Sequence, residues 1–357
     1  MSRIKDLIKE LYPNGVEYKS LDNIVSITTG KLNANAMVED GEYAFFTCDA
    51  NPFRIDKYAF DGEAILISGN GSQVGHLNYY VGKFNAYQRT YVLMNFIDSI
   101  IPKYLYHYLN AYLKGHIDEN SKKGSVPYIT LPMLQGFNVP IPPFEVQEEI
   151  VRILDKFREL EAELEAELEA RKSQYEFWRG KLLEKKYKKM HLQDVLSIKN
   201  GKDYKHLENG NVPVYGSGGI MTYVSDYVYN KPTVLIPRKG SLGNVFYLDT
   251  PFWNVDTIYY TEIDETKVIP KYIYYFIQNI HLDKLNIAGG VPSMTQAILN
   301  KIDIDVPPLE EQERIVKILD KFDKLVNDIT VGIPAEIELR RKQYEYYRNQ
   351  LLSFEEE

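Results

Sequence analysis

The chain repeats itself, and that duplication limits its fold more than any other feature of the sequence. Pro142-Pro143-Phe144-Glu145-Val146-Gln147, followed by Ile150-Val151-Arg152-Ile153-Leu154-Asp155-Lys156-Phe157, returns 165 residues later. The second copy reads Pro307-Pro308-Leu309-Glu310-Glu311-Gln312 and then Ile315-Val316-Lys317-Ile318-Leu319-Asp320-Lys321-Phe322. Gln174-Tyr175-Glu176 and Leu182-Leu183 recur as Gln343-Tyr344-Glu345 and Leu351-Leu352 at an offset of 169, so four residues have entered the second copy near Gly332 and Pro334. The remaining sequence is duplicated too. Ile101-Pro102-Lys103-Tyr104 matches Ile269-Pro270-Lys271-Tyr272, and the stretch 124–127 matches 289–292. Ile65 to Ile67 with Gly71-Ser72 matches Val234 to Ile236 with Gly240-Ser241, and Leu21 to Lys31 matches Leu192 to Lys202. The order is module, spacer, module, spacer. The expected boundaries are 1–143 for the first module, 144–189 for a central spacer helix, 190–308 for the second module and 309–357 for a C-terminal spacer helix.

The spacers read as helices. Ile150, Ile153, Phe157, Leu160, Leu164, Leu168, Arg171, Tyr175, Trp178 and Leu182 follow one another at steps of 3 or 4, with Glu, Lys and Arg mostly between them. That is a coiled-coil-type stripe, to which Leu154 adds. A helix from Glu145 to Lys186 would run for about 60 Å at 1.5 Å per residue. The second spacer carries Ile315, Ile318, Leu319, Phe322, Leu325, Ile329, Ile337, Tyr344, Tyr347 and Leu351, with Gly332 and Pro334 expected to break it. Such stripes need partners. Antiparallel pairing of the two spacers, homodimerisation and a plain solvated linker are the three options. The first needs no second chain and is the expectation.

The modules read as mixed α and β, giving an α+β fold class with an internal pseudo-twofold repeat. Short apolar runs at Ala64–Ser68, Thr90–Asn95, Thr233–Pro237 and Thr257–Glu262 have the length of strands, glycine-rich turns separate them, and an amphipathic helix follows each Ile-Pro-Lys-Tyr.

The formal net charge of −8 argues against a nucleic-acid partner until it is divided along the chain. Residues 1–143 hold 13 basic and 14 acidic side chains and 190–308 hold 10 and 12, leaving 19 and 24 for the two spacers. The modules are therefore close to neutral, and weak binding to DNA by the chain alone is expected. No run approaches the roughly 20 apolar residues of a membrane span. The amphipathic start, Met1 to Tyr12, reads as a helix rather than a signal peptide. With a single cysteine, Cys48, a reducing cytoplasm is the expected location.

Catalytic constellations are missing from the sequence. The six histidines are scattered without metal-ligand spacing. Gly69-Asn70-Gly71-Ser72-Gln73-Val74-Gly75 lacks the Gly-Lys-Ser/Thr of a phosphate-binding loop and reads as a tight turn. Asn51-Pro52-Phe53 also reads as a turn. What remains is a set of loops with binding character: Lys31, Ser72, Gln73, His76, Gln88, Arg89, Lys122 and Lys123 in the first module. Lys202, Ser217, Arg238, Lys239, Ser241, Asn244 and Asn254 fill comparable places in the second. Arg and Lys can pair with guanine edges or phosphates, and Asn or Gln with adenine. For any one of them a turn or surface role is equally apt; their matched placement in two divergent modules is the signal.

End to end, the sequence resembles the DNA specificity subunits of type I restriction-modification enzymes. The duplicated Pro-Pro-Phe/Leu-Glu-x-Gln-Glu and Ile-Val-x-Ile-Leu-Asp-Lys-Phe motifs carry the resemblance. So do Arg171 to Arg179 and Arg341 to Arg348 at the spacer ends, and Val212 to Gly219, Pro237 to Ser241 and Pro251 to Thr257 in the second module. The resemblance implies two target-recognition domains joined by two long antiparallel coiled-coil helices, each domain reading half of a split, asymmetric double-stranded DNA site. It implies docking of two methyltransferase subunits that carry S-adenosylmethionine, and restriction subunits that use ATP and Mg. No cofactor, metal, membrane or catalytic residue is expected of this chain itself. A methylation-only complex and, from another class, a coiled-coil adaptor are the alternatives.

Overall fold

The computed structural model describes residues 15–120, 128–184, 187–285 and 293–355. The expected N-terminal helix lies outside them, as do Lys122, Lys123 and the matching stretches 124–127 and 289–292. The chain gathers into two compact units, Met1–Glu163 with Ile337–Glu357, and Leu164–Glu336.

In the first unit β1 (Tyr18–Ser20) pairs antiparallel with β8 (Asn138–Pro140). Between them lie β2 (Ser26–Thr29), β3 (Tyr43–Phe46), β4 (Phe53–Ile55), β5 (Phe60–Ser68), β6 (Leu77–Ala86) and β7 (Thr90–Met94), which form one sheet in the order β2-β7-β5-β6-β3-β4. All pairs are antiparallel except β3 with β6. The apolar run of β5 is buried on both faces. Ile65 and Ile67 join the main core with Tyr104, Leu105 and Leu109, whereas Ala64 and Leu66 pack with Phe46 and Phe84 on the other side. Helix α1 (Pro102–Asn120) covers the first face, and short α2 (Leu131–Gln135) leads into β8.

The second unit repeats this frame. Strands β9 (Lys188–His191) and β17 (Asp303–Val306) pair as β1 and β8 do. Strands β10 (Leu196–Lys199), β13 (Thr233–Pro237), β14 (Phe246–Leu248) and β16 (Ile258–Ile263) order as β10-β16-β13-β14, the counterpart of β2-β7-β5-β6. The remainder differs. Here β11 (Asn209–Gly216), β12 (Gly219–Val224) and β15 (Trp253–Asn254) make a separate three-stranded sheet in the order β12-β11-β15. Val234 and Ile236 face the main core and Leu235 the opposite one.

Helix α3 (Phe144–Leu183) runs unbroken through both spacer motifs of the first repeat, and α4 (Pro270–Asn279) and α5 (Gln296–Asn300) match α1 and α2. The second spacer is divided, as Gly332 and Pro334 foretell, into α6 (Leu309–Asn327) and α7 (Ile333–Leu351). A β-carbon on Gly332 would lie 2.6 Å from the Asp328 carbonyl and 2.7 Å from that of Lys324, so the break admits no side chain there. Spacer pairs with spacer. In the first unit Ile150, Leu154 and Phe157 meet Tyr344, Leu351 and Leu352, and Arg341 is ion-paired to Glu161 at 2.5 Å. In the second, Leu168, Tyr175 and Leu182 meet Ile315, Leu319 and Phe322, with Tyr175 stacked on Phe322. Rising numbers on α3 meet falling numbers on its partner in both units, so the pairing is antiparallel.

Leu160 and Leu164 lie half-buried on the same stripe, but Trp178 does not belong to it. Trp178 is exposed beside Phe177, and the inward place falls to Arg179, whose guanidinium lies 5.1 Å above the Tyr175 ring. The stripe steps by four and then three, from 175 to 179 to 182, and the planar cation can occupy an apolar site because it stacks on an aromatic face. Leu325, in the last turn of α6, and Ile329, just past it, are likewise exposed.

Candidate nucleic-acid interface

In each unit one end of the main sheet gathers the loops singled out above. The carboxyl ends of β2 and β5 and the amino end of β7 meet there in the first unit, and those of β10, β13 and β16 in the second. Glycine makes the tightest of these approaches. A β-carbon on Gly30 would fall 1.8 Å from the Ala86 carbonyl oxygen, and one on Gly201 would fall 2.0 Å from that of Val255. Each glycine thus lets its chain run against the neighbouring loop and brings the next residue, Lys31 or Lys202, to the surface.

The first cluster is held by backbone contacts. Gly69 N–H donates to the Arg89 carbonyl at 2.9 Å, Tyr87 N–H to Phe46 at 2.8 Å, and Gln88 N–H to Leu32 at 2.9 Å. The 69–75 segment is a tight turn, with Gly71 and Gly75 at positive φ. Ser72, Gln73, Gln88 and Arg89 are exposed around it, and Gln88 donates to the Asn33 side chain at 3.0 Å. His76 is half-buried, with a ring nitrogen 3.2 Å from the Ala50 carbonyl, so it ties two loops together. Cys48 sits inside the same cluster, donating to the Asn70 side-chain oxygen at 3.1 Å.

The second cluster is built in the same places with different side chains. Arg238 N–H donates to the Thr257 carbonyl at 2.9 Å and Lys202 N–H to that of Asn254 at 2.8 Å. Asn244 donates to the Ser217 carbonyl at 3.0 Å, joining the β11–β12 turn to the β13–β14 loop. Lys202, Lys239, Ser241 and Asn244 are exposed, and Ser217 and Arg238 half-exposed. Lys239 lies 3.7 Å from Asp256, both well exposed, a pair of small energetic weight. Asn254 is different. It is fully buried and donates to the Ile258 carbonyl at 2.7 Å, so its side chain shapes the loop from within and faces away from solvent.

The structure therefore brings together all the described candidates of each unit, and presents all but Asn254 on or near the surface, His76 with its ring engaged by the Ala50 carbonyl. Five exposed or half-exposed cations stand at the two clusters: Lys31 and Arg89 in one, Lys202, Arg238 and Lys239 in the other. Amide and hydroxyl groups stand between them, a composition that suits phosphate contact flanked by base-edge contact. Among the described residues no three His, Cys, Asp or Glu side chains are arranged to hold a metal ion, and no helix is long and apolar enough to cross a membrane.

Sequence reasoning did not foresee what the spacer motifs do. Gln147 and Gln312 are fully buried. Gln147 donates to the Ser99 and Pro142 carbonyls at 2.9 and 2.8 Å, and Gln312 to those of Lys267 and Pro307 at the same distances. Lys103 reaches Asp155 at 2.6 Å and Lys271 reaches Asp320 at 2.8 Å. The repeated Gln, Lys and Asp thus fasten each module to its helix. The repetition was the signal; the partners could not be read from it.

The profile of the type I restriction modification DNA specificity domain matches this chain twice, over residues 13–170 and 184–339. A putative type I restriction enzyme specificity subunit of Haemophilus influenzae is 33% identical across 98% of both chains. The EcoR124I/EcoR124II specificity subunit of Escherichia coli is 35% identical over 72% of each. Among solved structures, the type I restriction-modification S subunit of M. genitalium superposes with a TM-score of 0.65 at 19% identity, covering 95% of this chain and 97% of that one. That last likeness is one of fold.

Proposed function

The chain belongs to the type I restriction-modification specificity-subunit family, with two DNA specificity domains, and from that membership we propose how it works. Each loop cluster reads one half of a split, asymmetric duplex sequence. Lys31 and Arg89, and in the other unit Lys202, Arg238 and Lys239, engage phosphates or guanine edges. Gln73, Gln88 and Asn244 offer paired donor and acceptor groups to adenine, and Ser72, Ser217 and Ser241 supply hydroxyls. Lys122 and Lys123 belong to the same reading. The paired spacers dock two methyltransferase subunits that bring S-adenosylmethionine, and restriction subunits join them with ATP and Mg in the cytoplasm. The chain performs no catalysis itself.

One observation carries this reading: two loop clusters of different sequence stand on one duplicated frame. A bipartite, asymmetric ligand needs that combination, since equal clusters would read equal half-sites. Nearly neutral modules fit weak binding alone and stronger binding once partner subunits add positive charge. The test is to replace residues 190–308 with the equivalent module of a relative, express the chain with its methyltransferase and map methylated adenines by sequencing. One half of the methylated sequence changes and the other stays. A change in both halves, or methyl transfer by the isolated chain, counts against the proposal.

A further inference from the structure

Beside each loop cluster one short segment is pinned in an identical way, and its single outward residue differs between the units. In the first unit Tyr128 bridges Asn70 in antiparallel register. Ile129 N–H donates to the Gly69 carbonyl at 2.8 Å, and the Tyr91 hydroxyl donates to the Ile129 carbonyl at 3.0 Å. In the second unit Ser293 bridges Lys239, Met294 N–H donates to the Arg238 carbonyl at 2.8 Å, and the Tyr259 hydroxyl donates to the Met294 carbonyl at 3.3 Å. Burial raises the pKa of both phenols, which keeps them protonated donors at neutral pH.

Alternation along an extended segment then decides what each residue can do. Ile129 and Met294 point inward and are buried, 5% and 1% exposed, whereas Tyr128 remains 50% exposed and Ser293 is exposed. A half-exposed tyrosine is commonly an unremarkable surface residue. This one is bridged to Asn70 and followed by the anchored Ile129, directly against the turn that carries Ser72 and Gln73, and its counterpart stands against the Arg238-Lys239 turn. Fixed backbone, outward side chain and a residue type that differs between copies are the properties a reading position requires.

We propose that Tyr128 and Ser293 are matched specificity-determining residues, each discriminating a base in the half-site read by its own unit. The inference rests on the DNA-reading role proposed above for the loop clusters. The Tyr128 ring offers an apolar face to a thymine methyl group and a hydroxyl to a base edge; Ser293 offers a hydroxyl alone.

The experiment uses the full chain co-expressed with its methyltransferase, with methylated adenines mapped across a genome. Tyr128→Ser relaxes one or two base positions in one half-site, with discrimination there reduced about five- to hundredfold. Ser293→Tyr alters the other half-site alone, and it tests the same idea if Tyr128→Ser fails to fold. Arg89→Ala and Lys239→Ala serve as controls for the underlying reading. If these controls weaken methylation while Tyr128→Ser and Ser293→Tyr leave the motif unchanged, or lower methylation equally at every site, the inference is overturned and the reading stands. If the controls too have no effect, the loop clusters are not the DNA-reading surface and both fall.

Discussion

The side-chain oxygen of Gln147 accepts a hydrogen bond from the backbone N–H of Ile101 at 2.8 Å, and Gln312 holds Ile269 in the same way at the same distance. Ile101 and Ile269 immediately precede α1 and α4, whose first N–H groups have no partner within the helix. One buried amide therefore joins the start of the module helix to the start of the spacer helix. It satisfies three backbone groups in each unit.

Gln147→Ala would leave one part-buried N–H and two carbonyls without their partner, at a cost of about 2–4 kcal/mol. Gln147→Glu is worse at neutral pH, because a carboxylate would face the Ser99 and Pro142 carbonyls. Chemical denaturation followed by hydrogen exchange in α1 checks this. Exchange in α4 stays unchanged, and Gln312→Ala reverses the pattern.

The two units differ beside this joint, and the difference makes one of them acid-sensitive. Asp155 accepts from Lys103 and from the buried His107 at 2.8 Å, whereas Asp320 accepts from Lys271 and from the Tyr275 hydroxyl at 2.6 Å. Burial pushes the His107 pKa below 6.5, and its Nδ1 has no partner, so the neutral ring with its proton on Nε2 fits the site. Arg158 and Lys103 nearby also oppose a second proton. The hydrogen bond from His107, with that from Lys103, holds the Asp155 carboxyl at about 2. Between the lowered His107 value and 6.5 the unfolded chain binds the proton that the folded chain refuses. Stability from this group is therefore full above pH 6.5 and declines below it; Asp155 adds a further loss from about pH 4 toward 2. Both shifts act in the same direction.

The expected outcome is a first unit that loosens between pH 7 and 5 while the second does not. Both tryptophans, Trp178 and Trp253, lie in the second unit, so fluorescence follows that unit and hydrogen exchange in α1, corrected for its intrinsic pH dependence, follows the first. His107→Tyr, which copies the second unit, should flatten the response of the first. An unchanged slope in that variant would falsify the assignment to His107.

Much of this frame was legible, for reasons that also explain what was not. The strand around Ile65 to Ile67 announces itself because both its faces are buried, so the apolar run is continuous. The helices announce themselves through steps of three and four. Gln147 could be recognised as repeated but not as buried, because its partners lie in the irregular 99–101 and 142 segments, which have no period to follow. Helical spacing places Trp178 inward by the same rule that places Tyr175 there. Hydrophobicity alone cannot foresee that Arg179 would stack on that ring. Parallel pairing of β3 with β6 and of β11 with β15 joins strands distant in sequence, and neither leaves a local mark. At the candidate interface the loops were legible by their equivalence. The inward turn of Asn254, beside the likewise buried Trp253, and the outward one of Tyr128 were not, since neither lies in a strand long enough to show a period.

The last prediction concerns the tetrapeptide Glu-Leu-Glu-Ala, present three times in tandem from Glu159 to Ala170, in the middle of α3. Its leucines, Leu160, Leu164 and Leu168, are half-buried, and the glutamates and alanines between them are mostly exposed. Deleting Glu163 to Ala166 removes one exposed turn and one half-buried leucine. It also turns the rest of the stripe by only about 40°, because four residues make slightly more than one turn. The two cores, which draw on Ile150 and Leu154 at one end of α3 and Tyr175 and Leu182 at the other, should therefore survive. The helix shortens by about 6 Å, against 3.4 Å per base pair of duplex. If α3 sets the gap between the half-sites, methylated sites in the deletion variant keep both half-site sequences and lose about one or two base pairs between them. Genome-wide mapping of methylated adenines reads both features at once. An unchanged gap would remove α3 as the spacing element. Altered half-site sequences would show that the repeat also positions the loop clusters.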